Sequence, residues 1–205
     1  MTTTQILKAQ KVLPIINTEA ETALDIAAAL IEGGLNAFEL TLRGKTSLRA
    51  LELVASKYPQ LLIGAGTITN AQTLRSALDA GAKFIITPGI HTEFAQLLHS
   101  SPIPVIPGVS SPGDVMLALS FGFKTQKLFP ASALGGIAML KALSGPFAEV
   151  NFCPTGGIDA KSAKEYLALK NVLCVGGSWL APASLIEARD FKEITRLAKE
   201  CANLA

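Results

Sequence analysis

The feature that most constrains this chain is a unit that repeats along its length, a short apolar run followed by a stretch with helical spacing. Eight of the apolar runs have the length of strands. We predict strands over Val12–Asn17, Ala37–Leu42, Leu61–Gly66, Phe84–Pro88, Pro104–Gly108, Thr125–Phe129, Asn151–Thr155 and Val172–Gly176. Such runs are typical of parallel strands, which are buried on both faces and need a helix in each connection.

The segments between the runs carry apolar residues every three or four positions, as Ala23, Ile26 and Leu30 do. We predict helices over Glu19–Glu32, Ser47–Tyr58, Ala71–Ala80, Thr92–Leu98, Pro112–Ser120, Ile137–Leu143, Lys161–Leu169 and about Phe191–Ala202. Asn70 and Ser111 stand where a side chain can cap the start of a helix. Strands and helices therefore alternate along the chain.

Eight β/α units in 205 residues predict a small (β/α)8 barrel, the TIM barrel, with short loops. We expect residues 1–205 to form this single domain and expect it to be catalytic. The alternative is an open, doubly wound sheet, which often carries a glycine-rich dinucleotide loop. The segment Gly64–Thr69 starts like that loop but lacks its third glycine. The regular repeat without this fingerprint favours the closed barrel.

Charge and cysteine content limit the partners and the compartment. The net charge is +2, from 18 basic and 16 acidic residues, and no basic stripe stands out. We therefore expect no nucleic acid and no membrane as a partner. Three separated cysteines, Cys153, Cys174 and Cys201, indicate reduced thiols in the cytoplasm, and the start of the chain lacks the apolar core of a signal peptide. His91 and His99 have no ligand partners at metal spacing, so we expect no metal site.

Lys127 is the first candidate for chemistry, because it ends the sixth predicted strand among apolar residues and is followed by Pro130. Burial disfavours the charged form of an amine, and a neutral amine is a nucleophile that forms a Schiff base with a ketone. The alternative is a strand-end lysine whose ammonium group reaches water.

A second candidate set lies on the second predicted strand. Side chains alternate along a strand, so Glu39, Thr41 and Arg43 face opposite to Phe38 and Leu40. In a barrel this polar set points into the mouth, where working residues lie at the carboxyl ends of strands. A structural ion pair between Glu39 and Arg43 is the alternative.

Two glycine pairs follow the last two predicted strands, Gly156-Gly157 and Gly176-Gly177. The loops after strands seven and eight commonly build a phosphate site in such barrels. Glycine lets backbone N–H groups approach an anion closely. The alternative is that these glycines only serve tight turns, which need a positive φ.

Six motifs occur in order: Phe38–Arg43, Gly64–Thr67, Thr87–Gly89, Lys127–Ala131, Phe152–Gly157 and Gly176–Trp179. Together they resemble the 2-keto-3-deoxy-6-phosphogluconate aldolase / 4-hydroxy-2-oxoglutarate aldolase family, from about Val12 to Leu204. Each motif alone is weak, but the combination is specific. The resemblance implies a (β/α)8 barrel and a class I aldolase that needs no metal or other cofactor and assembles as a homotrimer.

The resemblance also implies roles for individual residues. Lys127 matches the Schiff-base lysine and Glu39 the general acid/base, while Arg43 and Thr67 match the groups that hold the pyruvate carboxylate. Further substrate contacts are implied at Pro88, Phe129, Thr155, Gly156, Gly157, Gly177 and Ser178, of which Gly156, Gly157 and Ser178 match phosphate binders.

The expected reaction is cleavage of 2-keto-3-deoxy-6-phosphogluconate to pyruvate and glyceraldehyde 3-phosphate. The same parts also suit 4-hydroxy-2-oxoglutarate, which gives pyruvate and glyoxylate, and the 6-phosphogalactonate epimer. Two further alternatives share the phosphate loops but do not need a Schiff-base lysine. They are a sugar-phosphate isomerase or epimerase, and a barrel that only senses a phosphorylated sugar acid.

Overall fold

The computed structural model describes residues 2–204 and contains nine short strand segments. They are β1 Val12–Ile16, β2 Ala37–Thr41, β3 Leu62–Gly66, β4 Phe84–Ile86, β5 Val105–Ile106, β6 Gly108–Val109, β7 Thr125–Leu128, β8 Asn151–Phe152 and β9 Val175–Gly177. Each lies at a predicted strand, although β9 begins three residues later than expected. The fifth predicted strand is split into β5 and β6 at Pro107, which has no N–H to donate to a neighbouring strand.

All strand pairs are parallel, and together they form a barrel. Six strands follow the order β5-β4-β3-β2-β1-β9, and three follow the order β6-β7-β8. Two isolated parallel bridges join the end of the second group to β9 and to the segment just before it. They pair Phe152 with Val172 and Thr155 with Gly176. The (β/α)8 barrel is therefore confirmed, and the open doubly wound sheet is wrong.

Helices connect the strands and surround the barrel. They are α1 Thr3–Gln10, α2 Ala20–Glu32, α3 Ser47–Lys57, α4 Ala71–Asp79, α5 Thr92–His99, α6 Pro112–Ser120, α7 Gly136–Ser144, α8 Ala160–Leu167, α9 Ala183–Glu187 and α10 Phe191–Ala202. A 3-10 turn, Ser132–Leu134, precedes α7. Asn70 and Ser111 cap α4 and α6 through reciprocal side-chain and backbone bonds, as predicted. Across residues 2–204, every helix is too short or too polar to cross a membrane.

The sequence did not predict α1, which closes the amino-terminal end of the barrel. Its Gln10 side chain donates to the carbonyl groups of Val12 and Ala37, at 2.8 and 2.7 Å, and accepts the N–H groups of Asn36 and Ala37. Leu7 of the same helix is buried among residues of the barrel interior. This end of the barrel is thus covered, which leaves the carboxyl ends of the strands for a site.

The core has two parts, one on each face of the strands. Phe38 and Leu40 belong to the larger part, between strands and helices, as the alternation in β2 predicts. The smaller part fills the barrel and includes Cys153 and Cys174, whose sulfur atoms lie 3.2 Å apart. The neighbouring Cys153 thiol, and then burial, raise the pKa of Cys174. These two thiols are distant in sequence and adjacent in space.

Candidate active site

Lys127 points into the carboxyl end of the barrel. It lies on β7 between the buried residues Gln126 and Leu128, whose side chains face the surrounding helices, so alternation turns Lys127 inward. The residue is only 5% exposed, and its Nζ lies 5.1 Å from the centre of the Phe129 ring. The alternative of an ammonium group that reaches water is therefore wrong.

Glu39 is the partner of Lys127. Its Oε1 lies 3.5 Å from Lys127 Nζ, and both side chains are buried. The second oxygen, Oε2, is buried without a hydrogen-bond partner among residues 2–204. The sequence shows apolar neighbours of the lysine along the chain, and the barrel adds a carboxylate to them because it places β2 opposite β7. The resulting pair joins a nucleophilic amine to a carboxylate that can move a proton.

The space for the Glu39 carboxylate is supplied by Gly66, at the end of β3. A β-carbon at this position would overlap with Glu39 Oε1 and would lie 2.7 Å from Glu39 Cγ, well inside ordinary van der Waals contact. Any larger residue at position 66 therefore displaces the carboxylate. Gly66 stands in one of the sequence motifs, but the sequence alone gave no reason for it.

Arg43 and Thr67 meet at the neighbouring strand ends. Arg43 Nε donates to Thr67 Oγ1 at 2.9 Å, and Arg43 is exposed. The predicted alternative of an ion pair between Arg43 and Glu39 is wrong, because Glu39 pairs with Lys127 and no carboxylate contacts Arg43 within residues 2–204. Thr67 has a φ of 65°, which is unusual for a β-branched residue. Strained residues of this kind concentrate at functional sites.

A cavity of about 300 Å³ opens above the Lys127–Glu39 pair. Its lining includes eight of the predicted site residues, Arg43, Lys127, Phe129, Thr155, Gly156, Gly157, Gly177 and Ser178. Sequence reasoning on the site missed Ile15 and Ile158, which supply apolar walls. Asn17 and Thr41 also line the cavity, and their position at strand ends is the signal that finds them.

Three predicted residues do not line the cavity. Glu39 lies beneath the cavity and contacts Lys127, which lines it. Thr67 accepts a hydrogen bond from Arg43, which also lines the cavity. Pro88 packs against Gly108, where an added β-carbon would overlap with the Pro88 carbonyl carbon. The structure therefore does not bring Pro88 to the cavity, and its predicted substrate contact is untested.

The two glycine pairs meet at one corner of the cavity, and each has a local reason. Gly156 and Gly157 have φ values of 102° and 71°, so both serve a tight turn. Gly176 and Gly177 are instead packed closely, against Thr155 and the ring of Trp179 respectively. The phosphate role of these loops stays a prediction.

The histidines lie away from this site. His91 Nδ1 contacts the Glu93 carboxylate at 2.9 Å, and His99 Nδ1 lies 3.0 Å from the Phe121 carbonyl oxygen. Both are exposed. Within residues 2–204, no three side chains of His, Cys, Asp or Glu come together in the manner of a metal site.

Comparison with known proteins gives one consistent family. Residues 3–197 match the family model for KDPG and KHG aldolase. The chain is 46% identical to the 2-dehydro-3-deoxy-phosphogluconate aldolase of Dickeya dadantii, over 96% of this chain and 92% of that protein. It is 44% identical to the KHG/KDPG aldolase of Escherichia coli, over 95% of this chain and 92% of that protein.

Solved structures agree with this result. The KDPG aldolase of Legionella pneumophila, with pyruvate captured as a covalent carbinolamine intermediate, superposes with a TM-score of 0.94 at 44% identity and covers 97% of both chains. The 2-keto-3-deoxy-6-phosphogluconate aldolase of Zymomonas mobilis, with 3-phosphoglycerate, gives a TM-score of 0.92 at 39% identity. That match covers 98% of this chain and 95% of the other.

Proposed function

The chain belongs to the KDPG and KHG aldolase family, and on that premise we propose that its substrate is 2-keto-3-deoxy-6-phosphogluconate and that Lys127 forms the Schiff base. The products are pyruvate and glyceraldehyde 3-phosphate. The activity is that of a class I aldolase, a lyase. The observation that carries the assignment of Lys127 is its buried amine, 3.5 Å from the Glu39 carboxylate at the base of the cavity.

The Schiff base supplies the electron sink that cleavage requires. Lys127 Nζ attacks the C2 carbonyl to give a carbinolamine, which loses water to form an iminium ion. When the C3–C4 bond breaks, its electron pair moves into the iminium and gives an enamine. Protonation of the enamine at C3, followed by addition of water at C2, releases pyruvate and the free amine. One lysine therefore performs the task that a metal ion performs in other aldolases.

Glu39 is the proposed acid and base. Cleavage needs removal of the proton on the C4 hydroxyl, and a base for this step must lie within hydrogen-bond reach of the reacting centre. Glu39 Oε2 has no partner within residues 2–204, so it is available to accept that proton. The same carboxylate can return the proton to C3 of the enamine. Supporting this choice is its separation of 3.5 Å from the amine that carries the substrate.

The two ends of the substrate are held by different loops in this proposal. The Arg43 guanidinium, aligned by its bond to Thr67, binds the carboxylate of the keto acid. The loops with Gly156, Gly157, Gly177 and Ser178 bind the distal phosphate. Both sets line the same cavity, and fixing both ends aligns the C3–C4 bond for cleavage.

Contacts with the middle of the substrate complete the proposal. Thr155 lines the cavity, and its hydroxyl also donates to the Cys153 carbonyl at 3.3 Å. We assign it to discrimination at C4, with Phe129 packing beside the Schiff base. Pro88 is proposed as a further contact made once substrate is bound.

Trapping with borohydride tests the proposed function. Incubation with pyruvate and sodium borohydride reduces an imine to a stable secondary amine, and peptide mass spectrometry locates the adduct. We expect one adduct per chain, on Lys127. An isomerase, an epimerase or a protein that only senses the substrate gives no adduct. Absence of the adduct, or labelling of another lysine in its place, refutes the assignment.

A second substrate is favoured by one observation, the similarity to a relative named KHG/KDPG aldolase. We propose that 4-hydroxy-2-oxoglutarate is also cleaved, because the imine, Glu39 and Arg43 do not act on the phosphate. The 6-phosphogalactonate epimer is the competing phosphorylated substrate. Measurement of kcat/KM for all three compounds ranks them, and the gluconate compound is expected to be first.

We also propose the compartment, the oligomeric state and the domain organisation of the enzyme. Residues 1–205 act as one catalytic domain, without a metal or other cofactor, in the cytoplasm and as a homotrimer. The family resemblance supports the trimer, and the free cysteines support a reducing compartment. Sedimentation equilibrium of the purified chain tests the trimer.

A further inference from the structure

Glu19 holds the turn that carries Arg43. It follows β1 and immediately precedes α2, and its carboxylate reaches across to the next β/α connection. Glu19 Oε1 accepts the Lys45 N–H at 3.1 Å, while Oε2 accepts the Thr46 N–H at 2.6 Å and the Thr46 hydroxyl at 2.5 Å. Three hydrogen bonds thus join one carboxylate to residues that follow Arg43. We refer to residues 43–46 as the Arg43 turn.

The contact is reciprocal and tightly packed. The Thr46 hydroxyl oxygen accepts the N–H of Ala20, the first residue of α2, at 2.9 Å. A β-carbon at Gly44 would overlap with the Glu19 carboxylate, so the turn lies directly against it. Two consecutive β/α connections are therefore fastened together at the mouth of the barrel.

Glu19 is ionised when it makes these bonds. The bond from the Thr46 hydroxyl, then those from the Thr46 and Lys45 N–H groups, hold the pKa of Glu19 below its ordinary value. Glu19 is half-buried and does not line the cavity, so it does not touch the substrate. Its influence on the reaction has to pass through the backbone of the turn.

Arg43 depends on that backbone. Its side chain is exposed, and its only side-chain hydrogen bond within residues 2–204 is the one to Thr67. Among the residues that the structure describes, no carboxylate anchors the guanidinium, so its direction is set by Thr67 and by the Arg43 turn. We infer that Glu19 is a positioning residue, which holds the Arg43 turn so that the guanidinium binds the carboxylate of the keto acid. This inference rests on the proposed function of Arg43.

The same bonds also stabilise the start of α3, since a carboxylate near a helix N-terminus is favourable. A loss of stability in a Glu19 variant is therefore expected in either case and does not test the inference. The test needs a property that depends on Arg43. Such a property is the pyruvate concentration that gives half-maximal borohydride labelling of Lys127.

Four proteins are compared with wild type: Glu19→Ala, Glu19→Gln, Thr46→Val and the control Glu21→Ala. Glu21 is exposed on the first turn of α2 and makes no side-chain hydrogen bond within residues 2–204. Hydrogen bonds to charged groups are substantial, so Glu19→Ala should raise the half-maximal pyruvate concentration about tenfold. Glu19→Gln keeps one acceptor oxygen and should have a smaller effect, and Thr46→Val should move in the same direction.

Labelling at saturating pyruvate should stay complete in all four, because Lys127 and Glu39 are untouched. The decisive measurement compares the double variant Glu19→Ala/Arg43→Ala with Arg43→Ala alone. The half-maximal pyruvate concentration of the double variant should be no higher than that of Arg43→Ala. If Glu19→Ala and Thr46→Val each shift the requirement less than twofold, or if the effects of Glu19 and Arg43 add independently, the inference is wrong. If wild type itself is not labelled, the proposed function is wrong instead.

Discussion

Replacement of Gly66 by alanine should disable the enzyme through a residue that does no chemistry. The new β-carbon would overlap with Glu39 Oε1 and would lie 2.7 Å from Glu39 Cγ. The Glu39 side chain is fully buried, so it cannot swing into solvent. The carboxylate must therefore move from its place beside Lys127, where it lies 3.5 Å from the amine.

The size of the effect follows from the size of the displacement. Ordinary carbon contacts lie at 3.4–4 Å, so the carboxylate end of Glu39 must retreat by about 1 Å. A misplacement of about 1 Å in a catalytic constellation costs about 10²-fold in rate. Overpacking of a core also costs about 1–3 kcal/mol of the free energy of unfolding. We expect kcat for cleavage to fall by about 10²-fold in a protein that still folds.

The assay separates this effect from simple destabilisation with a matched variant on the same strand. Gly64 stands opposite Glu39 in the register of β2 and β3, but the three atoms nearest to a β-carbon there belong to the ring of Phe84 in the barrel interior, with which it would overlap. Gly64→Ala should therefore lower the free energy of unfolding while kcat at low temperature stays close to wild type. Urea unfolding, steady-state cleavage and borohydride trapping with pyruvate are measured for both variants. Trapping on Lys127 should persist in both.

Comparison with Glu39→Gln completes the test. Loss of a general acid/base typically costs about 10²–10⁴-fold. If Gly66→Ala acts by moving the same carboxylate, the double variant should be scarcely slower than Glu39→Gln alone. The reasoning is refuted if Gly66→Ala cleaves within threefold of wild type, or if Gly64→Ala loses as much kcat as Gly66→Ala.

The other predictions concern the amine, the absence of a metal requirement and the phosphate. Lys127→Ala should abolish turnover in a folded protein, and retained cleavage by this variant would contradict the role of Lys127. Lys124→Ala should be nearly neutral, because Lys124 forms an exposed ion pair with Glu149. EDTA should not inhibit, and activity that is lost with chelator and restored by a divalent ion would rule out a class I mechanism. Gly157→Val should lower kcat/KM for the phosphorylated substrate far more than for 4-hydroxy-2-oxoglutarate, and equal losses would mean that Gly157 serves only the fold.

Most of the barrel could be predicted because its signal is local. Eight apolar runs and the intervening helical spacing each depend on neighbouring residues, and all eight strand positions were found. The helix α1 was missed because it offers little apolar periodicity, although Thr2 and Gln5 form a capping box that signals a helix start. The five-residue helix α9 is too short to show a period.

The site could be predicted only in part, because its contacts join distant segments. The sequence predicted that Lys127 lies at a strand end and that Glu39 alternates with the apolar residues of its strand. Both side chains point inward, as expected. The sequence did not predict that the two side chains pair, because their pairing depends on β2 and β7 facing each other across the barrel. For the same reason the sequence offered Arg43, a neighbour on the same strand, as the alternative ion-pair partner of Glu39, whereas Glu39 meets an amine 88 residues away.

Glycines at this barrel mouth serve two different purposes, and a sequence pattern does not distinguish between them. Gly156 and Gly157 allow a backbone turn that other residues resist. Gly66 and Gly176 leave room for the side chains of Glu39 and Thr155, which belong to neighbouring strand positions. Only the first kind has a cause in the local chain. Gly66 and Gly176 are needed because the parallel strands of the closed barrel bring each of them beside a functional side chain. Substitution of either glycine should therefore impair catalysis before it unfolds the protein.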